Sequence, residues 1–217
     1  MSDAQLPPLR PSEGLATNRP GQALLRHADS LRDTRKTKPL LQRLLHPPTE
    51  ERAFRKGAAG ERVVAQRLEE LGSGWRVLHS IPVGSGDSDL DHLVIGPGGV
   101  FTLNSKNHLG KKVWVAGNTF MACGVRQPYI RSARHEAEQA TRLLSGAMGR
   151  AESVTGVAVV MASQLTVKRK QPTSVFVVGR KKIAEWQRRY GGRLSPEMVA
   201  LIYDWARDPS LWVKGPP

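Results

Sequence analysis

The chain holds a single cysteine, Cys123, among its 217 residues. That scarcity excludes an internal disulfide framework and fits a reducing compartment, so a cytoplasmic location is expected. Long apolar runs are missing too. None approaches the ~18 residues that a membrane-spanning helix needs, and no membrane association is expected. The opening MSDAQLPPLRPSEG lacks the basic-then-apolar layout of a signal peptide. No glycine-rich loop ends in Lys-Ser or Lys-Thr, which excludes a phosphate-binding P-loop. His79, His108 and His135 have no cysteine partners and no paired spacing, which argues against zinc. Acidic side chains are the minority charge, 19 Asp and Glu against 33 Lys and Arg, for a formal net charge of +14. A surplus of that size by itself favours polyanions, whether nucleic acid or an acidic membrane face.

Residues 1–48 carry seven prolines and few large apolar side chains. That composition does not offset the entropy of ordering a chain, so a largely disordered basic arm is expected, with one short helix at 38–45. From Thr49 the texture changes. Thr49 can cap a helix whose first turn holds Glu50 and Glu51, and Gly57, Val64, Leu68 and Leu71 share one stripe of it. Glu61 falls on the same stripe. Strands are expected at WRVLHSIPV, Leu90–Ile95 and Val100–Lys106, with a hairpin about Gly117-Asn118. A helix follows Pro128, with Ile130, Ala133, Ala137, Ala140, Leu144 and Ala147 on one side. SVTGVAVVMA reads as a strand buried on both faces. Then come a strand at 174–178, a helix at 181–190 and a last helix opened by Ser195-Pro196-Glu197. The order predicts one α/β domain over 49–217, with a mixed central sheet flanked by helices.

The chemistry concentrates in GDSDLDH, residues 86–92, followed by LVIGPGGVFTLNSKN. If Ile95 pairs with Val100 across the glycine-rich turn, antiparallel counting puts Asp91 opposite Asn104 and Asp89 opposite Lys106, all on one face. His92, Phe101 and Leu103 then point to the other face, so His92 is expected to pack rather than to ligate. Three readings of this patch compete. Lys106 can simply neutralise two aspartates at a strand end. The D-x-D-x-D spacing of a calcium loop fails, because His92 stands where that loop needs Gly and Gly98 where it needs a bidentate Glu. The third reading is a hard-oxygen site for Mg2+ or Mn2+ that serves phosphodiester cleavage.

GERVVAQRLEELGSGWRVLHSI followed by DLDHLVIGPGGVFTLNSKN resembles the NERD (nuclease-related) domain, over roughly residues 57–180. The resemblance implies a restriction-endonuclease-like core of the PD-(D/E)XK nuclease superfamily, action on DNA or other nucleic acid, a divalent-metal cofactor, and pairing as a homodimer. Asp91 matches the first metal-binding acid and Lys106 the motif lysine, with Glu61 the helix glutamate. The family's second acid is here Asn104, which offers an amide oxygen but no charge, so Asp89 and Glu61 are the side chains placed to compensate. Three function classes therefore stay open: a metal-dependent nuclease, a non-catalytic nucleic-acid-binding module of the same fold with a degraded metal site, and a scaffold whose arm recruits a partner protein. Candidate phosphate contacts are Lys111, Lys112, Arg126, Arg131, Arg134, Lys168, Arg169 and Lys170, and any such binding should be electrostatic and fall steeply with salt.

Overall fold

The helix expected at the domain's start runs over Thr49–Leu68 in the computed structural model, which describes residues 14–37, 49–86, 88–168, 174–190 and 192–214. Labelled in chain order, the elements are α1 (Gln22–Lys36), α2 (Thr49–Leu68), β1 (Arg76–Pro82), β2 (Asp89–Gly96), β3 (Gly99–Ala116), β4 (Thr119–Ala122) and β5 (Val125–Gln127). They continue with α3 (Tyr129–Met148), β6 (Val154–Lys168), β7 (Val175–Gly179), α4 (Ile183–Arg188), α5 (Pro196–Ala206) and α6 (Pro209–Lys214). The seven strands form one mixed sheet flanked by helices, as a restriction-endonuclease-like core requires. Among the described residues no helix is long and apolar enough to cross a membrane.

Strand β3 organises the sheet. Along one edge it pairs in parallel with β6 from Val100↔Val154 to Ala116↔Lys168, with an irregularity between His108 and Lys112. Its other edge is shared. The first part pairs antiparallel with β2, from Gly96↔Gly99 to His92↔Leu103, and the last part pairs with β4, from Val113↔Ala122 to Ala116↔Thr119. Between Asn104 and Lys112 neither neighbour covers that edge. The counted register therefore holds as far as His92↔Leu103, whereas the Asp91–Asn104 and Asp89–Lys106 pairs do not form.

Helices cover both faces, because the strands alternate apolar side chains to each. On one face Val64 and Leu68 of α2, with Ile183 and Ala184 of α4, pack against Val94, Phe101, Leu103, Val157, Val159 and Met161. On the other, Ala137, Ala140 and Leu144 of α3 meet Leu93, Ile95 and Val100, and Ile202 and Trp212 of α5 and α6 join the same cluster. Ser195 caps α5, its hydroxyl accepting from the Met198 N–H at 3.3 Å. The helix expected over 181–190 is shorter: Arg180–Lys182 form a 3-10 turn and only Ile183–Arg188 is α-helical.

The N-terminal expectation needs correction. The helix proposed at 38–45 lies outside the described residues, but residues 14–37 are not a disordered arm. They form a short 3-10 turn and the fifteen-residue α1. Composition averaged over 1–48 undervalued this segment, which holds one of the seven prolines and docks through a few apolar side chains and several polar contacts. Ala28 is fully buried and Leu15 nearly so. Asn18 Nδ2 donates to the Ser80 carbonyl at 2.8 Å, Leu15 N–H to Arg207 O at 2.8 Å, and Arg55 of α2 to Asp29 of α1 at 2.9 Å. Gly21 permits the approach: its φ is +74°, and a Cβ there would lie 2.8 Å from the Cα of Ala58. Gly21→Ala is accordingly expected to cost about 2 kcal/mol or more, combining left-handed strain with overpacking, as a lowered urea midpoint at unchanged slope would show.

Candidate active site

A cavity of about 500 Å3 lies at the uncovered edge of β3. Glu61 and Gly57 of α2 line it, together with Ser88–Asp91 at the start of β2, Asn104–Lys106 of β3, and Ser132, His135, Glu136 and Gln139 of α3. Leu24 of α1 adds to the wall. The parting of β2 from β3 explains why residues from both helical layers reach one space. Asp91, Asn104 and Lys106 face the α3 layer, while Glu61 enters from the α2 layer on the other side of the sheet.

Each polar group has a specific setting. Asp91 Oδ2 accepts the Ser105 N–H at 2.6 Å, standing in for the β-ladder partner that β3 lacks there. Glu61 is 1% exposed; its Oε2 accepts the Gly21 N–H at 2.8 Å, and its buried Oε1 has no partner among the described residues. Asp89 likewise keeps a buried Oδ2 without a partner among them. Asn104 is a bridge: its Nδ2 donates to Glu136 Oε1 at 2.5 Å, and its Oδ1 accepts from the Lys106 ammonium. Lys106 Nζ also sits 4.8 Å from the centre of the Tyr129 ring.

Four carboxylates around one cation repel each other, and burial compounds the cost. Burial, followed by the charges of Asp91 and Asp89, pushes Glu61 up to about 9 against the opposing Gly21 hydrogen bond. Burial and then Asp91 raise Glu136 to about 7 and Asp89 to about 6. Asp91 is raised too, by burial, with Lys106 and the Ser105 N–H acting in the opposite sense. A bound divalent cation would reverse these shifts by supplying the missing positive charge.

The donors suit a hard ion in chemistry, since all are oxygens and two of them, Glu61 Oε1 and Asp89 Oδ2, are buried without a hydrogen-bond donor. They do not form a closed cage. Among the described residues no three Asp, Glu, His or Cys side chains stand ready to hold an ion, and Asp91 and Glu61 each have one oxygen turned onto a backbone N–H. Asn104, expected to assist an ion through its amide oxygen, has that oxygen on Lys106 instead.

The nuclease-related domain family model matches residues 56–161. The chain carries a nuclease-related domain. No curated protein and no solved structure matches the chain. The matched span of the nuclease-related domain holds Glu61, Asp89, Asp91, Asn104, Lys106 and Glu136, while α1 and its Gly21 contact lie outside it. Within the domain, Asp89, Asp91, Asn104, Lys106 and Glu61 all line the one cavity, and Asp87 is outside the described residues.

Glu136 was not among the expected site residues. Its signal resembled that of Glu61: a carboxylate between Ala133 and Ala140, one turn from each, beside the buried stripe of α3. His92 behaves as expected of a side chain on the far face. It is fully buried, and its Nδ1 lies 2.8 Å from Nδ1 of its cross-strand partner His79. Burial holds His92 well below the ordinary histidine range and His79 at about 4.

The basic candidates divide. Arg126 and Arg131 line one cleft with Asn118, Gln127 and Pro128. Arg134 Nη2 donates to Asn118 Oδ1 at 3.0 Å, and Lys168 pairs with Ala116 beside the same turn. These four gather at the β3–β4 hairpin end, next to the first turns of α3. Lys111 and Lys112 are exposed at the irregularity of β3, apart from that group. Arg169 and Lys170 are outside the described residues.

Proposed function

We propose that the protein is a Mg2+- or Mn2+-dependent nuclease that acts on DNA in processing or repair. The observation that supports this best is the buried Glu61 carboxylate, one of whose oxygens has no partner, facing a cavity shared with Asp91, Asp89 and the ammonium of Lys106. Burying such a group without a partner is costly, and a protein keeps that arrangement where a ligand completes it. Asp91 and Glu61 would hold the ion, with Asp89 lining the same cavity. When bound, it would supply a water of lowered pKa and neutralise charge on the phosphate. Lys106 is held by Asn104 and the Tyr129 ring, so its ammonium is positioned to steady charge developing on a phosphate oxygen. The basic hairpin end beside α3 would take the flanking phosphates.

The test incubates purified protein with single-stranded, duplex and branched DNA, in Mg2+, Mn2+ or chelator. Cutting that needs the metal supports the reading; no cutting of any substrate under any of these conditions rejects it. Binding without metal should lose about tenfold or more between 50 and 200 mM salt, measured by fluorescence anisotropy. Combining Arg126→Ala with Arg131→Ala should flatten that salt slope by about two phosphate contacts.

A second reading rests on Asn104, whose neutral amide oxygen is spent on Lys106. On that reading the domain binds DNA without cutting it. Cleavage that appears only in Asn104→Glu would favour it.

A further inference from the structure

The strand position that gives this family its second metal-binding acid holds Asn104 here, so a site built on Asp91 and Glu61 lacks one negative charge. The structure offers a replacement from another element. Glu136 is carried by α3, lines the same cavity, and places its Oε1 2.5 Å from the Asn104 amide nitrogen. Lys106 holds the other end of that amide. The side chain at 104 therefore works as a spacer between a carboxylate and an ammonium rather than as an ion ligand.

Resting on the metal-dependent reading above, we propose that Glu136 supplies the anionic oxygen that residue 104 does not, so that Asp91 of β2 and Glu136 of α3 would form the pair of carboxylates that holds the ion. Three features support this. An Asn side chain aligned by Lys106 fixes which way Glu136 points, since its amide nitrogen can only donate. The cavity already contains Glu61 Oε1, buried and without a partner, so the acidic cluster has an oxygen free for an outside cation. Asp89, the other side chain placed to compensate, belongs to the same strand as Asp91, whereas Glu136 approaches from the layer that Asn104 faces. The second acid has in effect moved from the strand to the helix packed on it.

The experiment measures Mn2+ binding by isothermal titration calorimetry, without nucleic acid, on the full chain. Four proteins are compared: the natural sequence, Glu136→Gln, Asp91→Asn, and Glu136→Gln combined with Asn104→Asp. Thermal melting in chelator checks that each is folded. Gln at 136 keeps an acceptor for the Asn104 amide and removes only the charge. The natural protein should bind Mn2+, Asp91→Asn should lose binding, and Glu136→Gln should weaken it at least about tenfold. Returning a carboxylate to the strand in the double variant should recover affinity to within about threefold of the natural protein. If Glu136→Gln binds as the natural protein does while Asp91→Asn does not, the role of Glu136 is wrong and the metal site stands. If the natural protein binds no Mn2+, the metal-dependent reading fails and this inference with it.

Discussion

Asp91→Asn is expected, on the proposed nuclease reading, to lower metal-dependent DNA cleavage at least about a hundredfold, while binding of the same DNA in chelator stays within about twofold. The asymmetry follows from position. Asp91 lies at the point where β2 leaves β3, and its carboxylate accepts the Ser105 N–H that no strand reaches. Asparagine is close to it in shape and can still accept that hydrogen bond through its own oxygen, so the strand geometry is retained. What disappears is a charge at the centre of the acidic cavity. The basic hairpin end, with Arg126 and Arg131, is untouched. A second signature accompanies the loss. Because burial disfavours the ionised Asp91, neutralising it removes that cost and relieves repulsion with Asp89 and the ionised fraction of Glu136. The variant should therefore melt no lower than the natural protein in chelator, and higher at neutral pH, which a structural defect would not produce. Cleavage at the natural rate would remove Asp91 from the site.

The other large effect is on stability against pH, measured by urea denaturation in chelator. Glu61 has a folded pKa of about 9 against an ordinary value of 4.5. Between those values the folded chain holds a proton that the unfolded chain releases, so stability falls as pH rises, by about 1.4 kcal/mol per unit at most. Glu136 and Asp89 act in the same direction, but their windows close near 7 and 6. The buried histidines act oppositely. His79 titrates at about 4 in the fold against 6.5 unfolded, so its contribution is lost as pH falls through that range. The two sets oppose each other below pH 6.5. Above pH 7 Glu61 dominates, and from pH 7 to 9 the protein should lose about 2–3 kcal/mol. Glu61→Gln should flatten that decline, as should millimolar Mn2+ through its preference for the ionised carboxylates. A natural protein whose stability is level from pH 7 to 9 in chelator would mean that Glu61 ionises freely in the fold.

The two effects come from one source. Placing carboxylates where no hydrogen-bond donor fully serves them destabilises the fold, a cost that a bound cation would offset on the reading proposed above. Gly21 shows how the surrounding fold sustains that arrangement. Its N–H is the one donor given to Glu61 among the described residues, and α1 reaches it only because residue 21 has no Cβ.

Much of this architecture was legible in the linear chain. The glycine-rich turn between Ile95 and Val100 indicated the hairpin register, which holds from Gly96↔Gly99 to His92↔Leu103. The 3.6-residue period of α2 placed Glu61 on a buried stripe, and the same period in α3 placed Ala133, Ala137, Ala140 and Leu144 inward. The GPGG turn, the LNSKN segment and the Asp-His pair were enough to indicate the domain family. Local periodicity and turn chemistry act over a few residues, so they can be read without coordinates.

Three things were decided only by the tertiary structure. The edge of β3 that neither β2 nor β4 covers depends on where three separate pairings stop, which no local pattern encodes. The meeting of Glu136 with Asn104 joins residues 32 positions apart through the docking of α3 on the sheet. The ordering of residues 14–37 comes from contacts with Ser80, Arg207 and Glu61, whose distance in sequence hides the enthalpy and burial that offset the entropy of ordering the segment. Sequence determined which faces are apolar and which residues carry charge; packing decided which charges share a cavity.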